Sequence, residues 1–114
     1  MHEMRLNNVP FSLIKEGIKT VEMRLYDEKR KSIKVGDTIT FINRLTNEKV
    51  KTKVIYLHIY DSFETLYRDF DKISLGYKKD EECSYKDMEK YYSIEKQKEY
   101  GVLGIEIELI KSEV

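Results

Sequence analysis

Residues 49–60 read Lys-Val-Lys-Thr-Lys-Val-Ile-Tyr-Leu-His-Ile-Tyr, a long stretch rich in β-branched and aromatic residues with no glycine or proline to break it. Counting every second residue puts Val50, Thr52, Val54, Tyr56, His58 and Tyr60 on one face and Ile55, Leu57 and Ile59 on the other. Apolar side chains on both faces predict a strand that is central in a sheet or strongly bent. Candidate partner strands flank it in sequence. Thr38–Asn43 precedes it across a turn at residues 44–48. Near the end of the chain Leu103, Ile105, Ile107 and Leu109 alternate with Gly104, Glu106 and Glu108.

Other segments follow the helical period. Pro10 suits a first helical turn and Gly17 a helix stop, with Phe11, Ile14 and Ile18 at helical spacing, so residues 10–16 predict a short helix. The period then changes. Val21, Met23 and Leu25 share one face of a half-buried strand, and Thr20, Glu22 and Arg24 share the other. Residues 26–36 form a charged loop that ends in the turn signal Val35-Gly36-Asp37. Asp61 and Glu64 stand at capping-box spacing ahead of the stripe Phe63, Leu66, Tyr67 and Phe70, which predicts a helix over 62–70. Ser84 and Asp87 repeat that cap before Met88, Tyr91 and Tyr92 and predict a further helix. No regular βαβ alternation appears, so a doubly wound parallel sheet is disfavoured. The expected class is α+β and mainly β: one domain over residues 1–114, a small twisted barrel of about five to six strands with two to three short helices plugging one side.

Composition narrows the functions open to such a domain. The chain has 114 residues, enough for one core without disulfides or a structural metal. Cys83 is the single cysteine, and His2 and His58 are far apart, so no zinc or iron–sulfur spacing exists and no metal or cofactor is expected. Cys83 itself reads as a bland thiol rather than a nucleophile. This cysteine usage predicts a cytoplasmic protein. No apolar run approaches the roughly 20 residues of a membrane span, and the N-terminus has no signal-peptide pattern. Net charge is zero, which excludes a generic polyanion binder, yet the charge is uneven. Residues 1–53 hold 12 Lys+Arg against 7 Asp+Glu, and residues 54–114 hold 9 against 14. If the halves do not interleave in space, one surface is basic and suits a phosphate-bearing ligand.

The stretch Gly17-Ile18-Lys19-Thr20-Val21-Glu22-Met23-Arg24 carries the most chemistry. It leaves a helix at Gly17, delivers Lys19 at the turn, and displays Glu22 and Arg24 on one strand face. Two arrangements suit this spacing. One is a surface ion pair, worth about 0–1 kcal/mol. The other is a polar site in which the Arg24 fork holds a phosphate or carboxylate, or orients Glu22. Lys19 would then neutralise an anion, or act as a base if desolvated.

The run GIKTVEMR resembles the signature Gly-x-Lys-x-x-Glu-x-Arg of the ASCH family, a branch of the PUA-like superfamily. The likeness continues in order along nearly the whole chain. It runs through Tyr26–Arg30, Ile33–Asp37, Phe63 and Leu66, Leu75-Gly76-Tyr77, Met88 with Tyr91-Tyr92-Ser93, and Tyr100–Ile105. The resemblance implies a PUA-like β-barrel with a cleft lined by the signature strand, and a family widely proposed to bind RNA. One small bacterial branch hydrolyses the acetyl amide of N4-acetylcytidine with a Lys, a Thr and a Glu, and a ribonuclease activity is attributed to another. The Lys of that set falls on Lys19. The Thr position falls on Glu22, a departure from that chemistry, and the distant Glu corresponds to Glu81 or Glu82.

Two kinds of function follow. The first is a module that binds RNA or a nucleoside-sized ligand through Lys19, Glu22, Arg24, Tyr26, Lys29 and Arg30. The second is a metal-free amidohydrolase or ribonuclease with Lys19 and Glu22 at its centre, Glu22 taking the proton-shuttling role of the missing Thr. A charge-neutral chain without a long basic stripe favours the smaller ligand. The cluster Lys29, Arg30, Lys31 and Lys34 also fits a solvated loop, and Tyr26, Tyr56, Tyr60 and Tyr77 are candidates for base stacking or for the core. The expected partners are RNA or a small nucleoside or nucleotide, with no membrane.

Overall fold

The computed structural model describes residues 2–111; residues 1 and 112–114 of the expected single domain lie outside the described residues. Strands β1 (His2–Leu6), β2 (Val21–Leu25), β3 (Thr38–Asn43), β4 (Lys49–Tyr60) and β5 (Val102–Leu109) form one curled sheet, a half-barrel, in the order β1-β3-β4-β5-β2. Strand β1 runs parallel to β3, and the other neighbours are antiparallel. The long β4 lies at the centre, as its two apolar faces require.

Strand β4 does not keep one parity along its length. Val54 pairs with Ile107 but Tyr56 pairs with Glu106, so a bulge at Ile55 shifts the register. Before it Val50 and Val54 face the same core as Ile107; after it Leu57 lies opposite Ile105 and Tyr60 opposite Val102. The single face expected for Val50 through Tyr60 is therefore split. Simple alternation cannot see the extra residue, although apolar content on both faces is its trace.

Two hydrophobic clusters sit on the two faces of the sheet. One joins Met4, Leu6, Phe41, Val54, Leu103 and Ile105 with Phe11 and Ile14 of helix α1 (Asn8–Lys15). The other packs Val21, Met23 and Leu25 of β2 against Phe63 and Leu66 of α3 (Phe63–Asp69) and Leu75. Phe63 and Leu66 are fully buried, each worth roughly 1.5–3 kcal/mol of apolar transfer. Gly104 belongs to this packing, since a Cβ there would lie 3.4 Å from Leu66 Cδ1.

Short helices make a cover over one side. They are α3, α4 (Lys72–Leu75), a 3-10 helix at Tyr85–Lys90, and α5 (Ile94–Tyr100), while α2 (Glu28–Lys31) is one helical turn inside the 26–36 segment expected to be a loop. The cap of α3 is Ser62, whose hydroxyl accepts from the Thr65 amide, one residue later than the expected Asp61. The expected helix after Ser84 exists, but as 3-10 turns. Four elements escaped the pattern reading. Strand β1 is five residues long, α2 and α4 are single turns, and α5 buries Gln97 where a helix stripe would show an apolar residue. No described helix is long and apolar enough to cross a membrane.

Candidate functional site

Strands β1 and β2 are the two edges of the sheet, and Arg24 of β2 reaches from one edge to the Arg5 carbonyl of the other. The chain leaves α1 with the amides of Ile18 and Lys19 both donating to the Leu13 carbonyl, a tight exit that turns Lys19 toward β2. Glu22 lies opposite Ile105 and Arg24 opposite Leu103, so both face the side of the sheet that those apolar residues line.

There the three charges meet. Lys19 Nζ lies 2.9 Å from Glu22 Oε1. Arg24 Nε donates to Glu22 Oε2 at 2.8 Å, and Arg24 Nη2 lies 2.8 Å from the same oxygen. Arg24 Nη2 also reaches the Arg5 carbonyl across the gap at 3.3 Å, tying β2 to β1. Lys19 is 8% exposed and Glu22 4%, which removes the surface-ion-pair reading. Burial works to raise the Glu22 carboxyl, but the charges and hydrogen bonds of Lys19 and Arg24 outweigh it and hold it below the ordinary carboxylate value. Burial works against the Arg24 charge as well, yet Glu22 and then the Tyr92 phenol raise it overall.

Helix α4 presses on this cluster. The Thr20 amide donates to the Ser74 carbonyl at 3.0 Å, and Gly76 lies against the Lys19 stem. Gly76 has φ +105°, and a Cβ there would stand 2.9 Å from Lys19 Cδ. Glycine is required twice over, by backbone conformation and by the close approach.

The cluster forms one wall of a cleft of about 320 Å³. Arg5 and Arg44 extend that wall, and the cover contributes Tyr67, Tyr77, Tyr91 and Tyr92 with Glu81 and Asp87. The Tyr77 hydroxyl donates to Asp87 Oδ2 at 2.7 Å and lies 2.9 Å from the Tyr67 hydroxyl. The cationic residues of the cleft come from the first half of the chain and the acidic cover from the second. The halves interleave in the sheet, and both signs of charge meet in this cleft.

Of the residues expected at the site, Lys19, Glu22, Arg24, Glu81 and Tyr77 line the cleft. The others lie elsewhere. Glu82 is exposed and outside the lining. Lys29 and Arg30 line a separate groove with His2, Glu3, Met4 and Ile33. Arg30 is drawn to Asp27 at 3.0 Å, because Asp27 caps α2. Tyr26 packs against the core with Lys31 Nζ 5.6 Å above its ring. Tyr60 donates to Asp69 at 2.7 Å, and His58 pairs with Glu106 at 2.7 Å. Cys83 is exposed, and partial burial followed by the Asp87 charge pushes its thiol up, away from thiolate. Among the described residues no three His, Cys, Asp or Glu side chains gather as metal ligands would. Arg5, Arg44, Asp87, Tyr91 and Tyr92 were not singled out as site residues. The chain order Met88, Tyr91, Tyr92 marked the last two, while nothing local distinguishes Arg5 or Arg44.

Comparison with known proteins agrees with this architecture. A family model described as the ASCH domain matches residues 4–111. The crystal structure of hypothetical protein PH0355 superposes with a TM-score of 0.78 at 38% identity, covering 95% of this chain and 97% of that one. The solution NMR structure of protein PF0455 from Pyrococcus furiosus gives 0.70 at 36% identity, covering 97% and 98%. No curated protein matches the chain.

Proposed function

Since this chain belongs to the ASCH domain family, we propose that its cleft binds one nucleoside or nucleotide, free or as a unit of RNA. The observation that carries this reading is the buried cluster at the cleft wall, where two cations share the single carboxylate of Glu22. The cluster keeps a net positive charge in a place where uncompensated charge is costly. A ligand phosphate supplies the missing anion, with Arg44 as its forked partner and Lys19 and Arg24 adding positive charge beside it. Tyr91, exposed at the cover, offers an aromatic ring, the usual way proteins hold an unstacked base. A volume near 320 Å³ stands at the small end of the roughly 300–1,000 Å³ typical of small-molecule sites, which suits one nucleotide unit.

The experiment is a calorimetric or NMR titration with nucleosides, nucleoside monophosphates and short single-stranded RNA. Arg44→Ala is expected to weaken monophosphates while sparing nucleosides, and Tyr91→Ala to weaken both. A cleft that responds to none of these ligands at millimolar concentration overturns the reading.

A second reading, hydrolysis of an N-acylated nucleoside, is favoured by the Lys19–Glu22 contact opening on the cleft. Water would add to the acyl carbon, and the departing amine would take a proton passed on by this pair. Glu22 stands where the related amidohydrolases have Thr and is held ionised by two cations, which weakens it as a proton carrier. Turnover of N4-acetylcytidine by the wild type, lost in Lys19→Ala, is the result this reading requires.

A further inference from the structure

The cover wall carries charge of the wrong sign for a ligand that is anionic throughout. Asp87 and Glu81 line the same cleft as Arg5, Lys19, Arg24 and Arg44. A phosphate belongs on the arginine side, so the other end of the ligand must suit carboxylates.

Asp87 is built for that contact. It is half-buried, and Tyr77 fixes it by donating to Oδ2 at 2.7 Å. The same hydroxyl lies 3.0 Å from the Ser84 carbonyl and 2.9 Å from the Tyr67 hydroxyl. Burial first, then the bonds to Tyr67 and Asp87, push Tyr77 far above the ordinary tyrosine range, so it keeps its proton and serves as a standing donor. No hydrogen bond to Asp87 Oδ1 is made among the described residues. Glu81 is similarly half-used, its Oε1 accepting from the Lys78 amide at 2.7 Å.

We propose that Asp87 reads the base, selecting nucleotides whose base carries an exocyclic amine over their oxo counterparts. This rests on the nucleotide reading above and adds a discrimination to it. An ionised carboxylate only accepts hydrogen bonds, so it pairs with an amino N–H, as acidic side chains do with cytosine N4. A uracil or hypoxanthine oxygen in the same place sets lone pairs against lone pairs. The ligand's own polarity, phosphate at one end and amine at the other, then matches the two signs of charge in the lining.

The experiment titrates the full chain with CMP and UMP, and with AMP and IMP, in wild type and Asp87→Asn. Each pair differs chiefly by an amine exchanged for an oxo group. Wild type is expected to favour CMP and AMP by roughly ten-fold or more, the scale of one good base contact. Asp87→Asn, whose amide can also donate, is expected to narrow or invert both preferences; Asp87→Ser serves if that variant does not fold. Arg44→Ala is expected to weaken all four ligands by a similar factor. Equal binding within each pair by wild type overturns the assignment while leaving nucleotide binding intact. A preference unchanged in the folded Asp87 variant assigns discrimination elsewhere and also overturns it. Absence of binding by all four ligands overturns the nucleotide reading itself.

Discussion

Glu22 is the anion around which Lys19 and Arg24 are arranged, and the cost of disturbing it follows from its burial. Arg24→Ala removes one of two cationic partners and the link to Arg5, and is expected to cost about 3–5 kcal/mol in urea denaturation. The pH dependence has a definite sign. Because Glu22 is held below its ordinary value of 4.5, its contribution is fully present above that pH and is lost as pH falls through the lowered folded value. The stability gap between wild type and Glu22→Gln is therefore expected to stay constant from pH 7 to about 5 and to close only under stronger acid. A gap that narrows already between pH 7 and 5 would mean that Glu22 titrates higher than its two cations dictate. Sequence spacing alone placed Glu22 and Arg24 on one face, since strand side chains at i and i+2 always agree. It did not tell surface from interior, because burial depends on the sheet curling and on α4 closing over Lys19, which are contacts between distant segments.

The elements of the cover depend on a polar staple. Gln97 Oε1 accepts from the Phe63 amide at 3.1 Å, and its Nε2 donates to the Tyr92 carbonyl at 3.2 Å. One buried side chain on α5 thus ties the start of α3 to the segment that carries Tyr92. Gln97→Leu leaves both backbone groups without partners and is expected to destabilise by about 1–3 kcal/mol. It is also expected to weaken nucleotide binding beyond what Tyr91→Ala does to ligand contact alone, which titration of the folded variant measures. This dependence explains why α5 was invisible in the sequence. A helix held by a glutamine and a Ser93 cap shows no apolar stripe. The strands were legible because alternation is local, whereas the bulge at Ile55 exists only in relation to β5.

For the molecule as a whole, the zero net charge conceals a cleft lined by charges of both signs. Lys29 and Arg30 line their own groove, so the cationic wall of the cleft is short. Binding of short single-stranded RNA is expected to lose affinity with salt along a log–log slope of about −1.4 to −2.1, the mark of two or three phosphates at about −0.7 each. Fluorescence anisotropy across a salt series measures it. A slope steeper than about −4 would require a wider basic surface and would bring the Lys29–Arg30 groove into the binding face. Charge counts along the chain foretold that two halves differed in sign, but only the topology decides where those halves confront each other.

The gap between β1 and β2 also bears on edge-to-edge strand pairing. Two strand edges that face each other without pairing would welcome a strand from another chain. Here the opening is occupied by Lys19, Glu22 and Arg24, and the Arg24 guanidinium already takes the Arg5 carbonyl. An intruding backbone would have to separate buried charges to reach either edge. The groups that make this opening hospitable to a small anion make it a poor seed for aggregation.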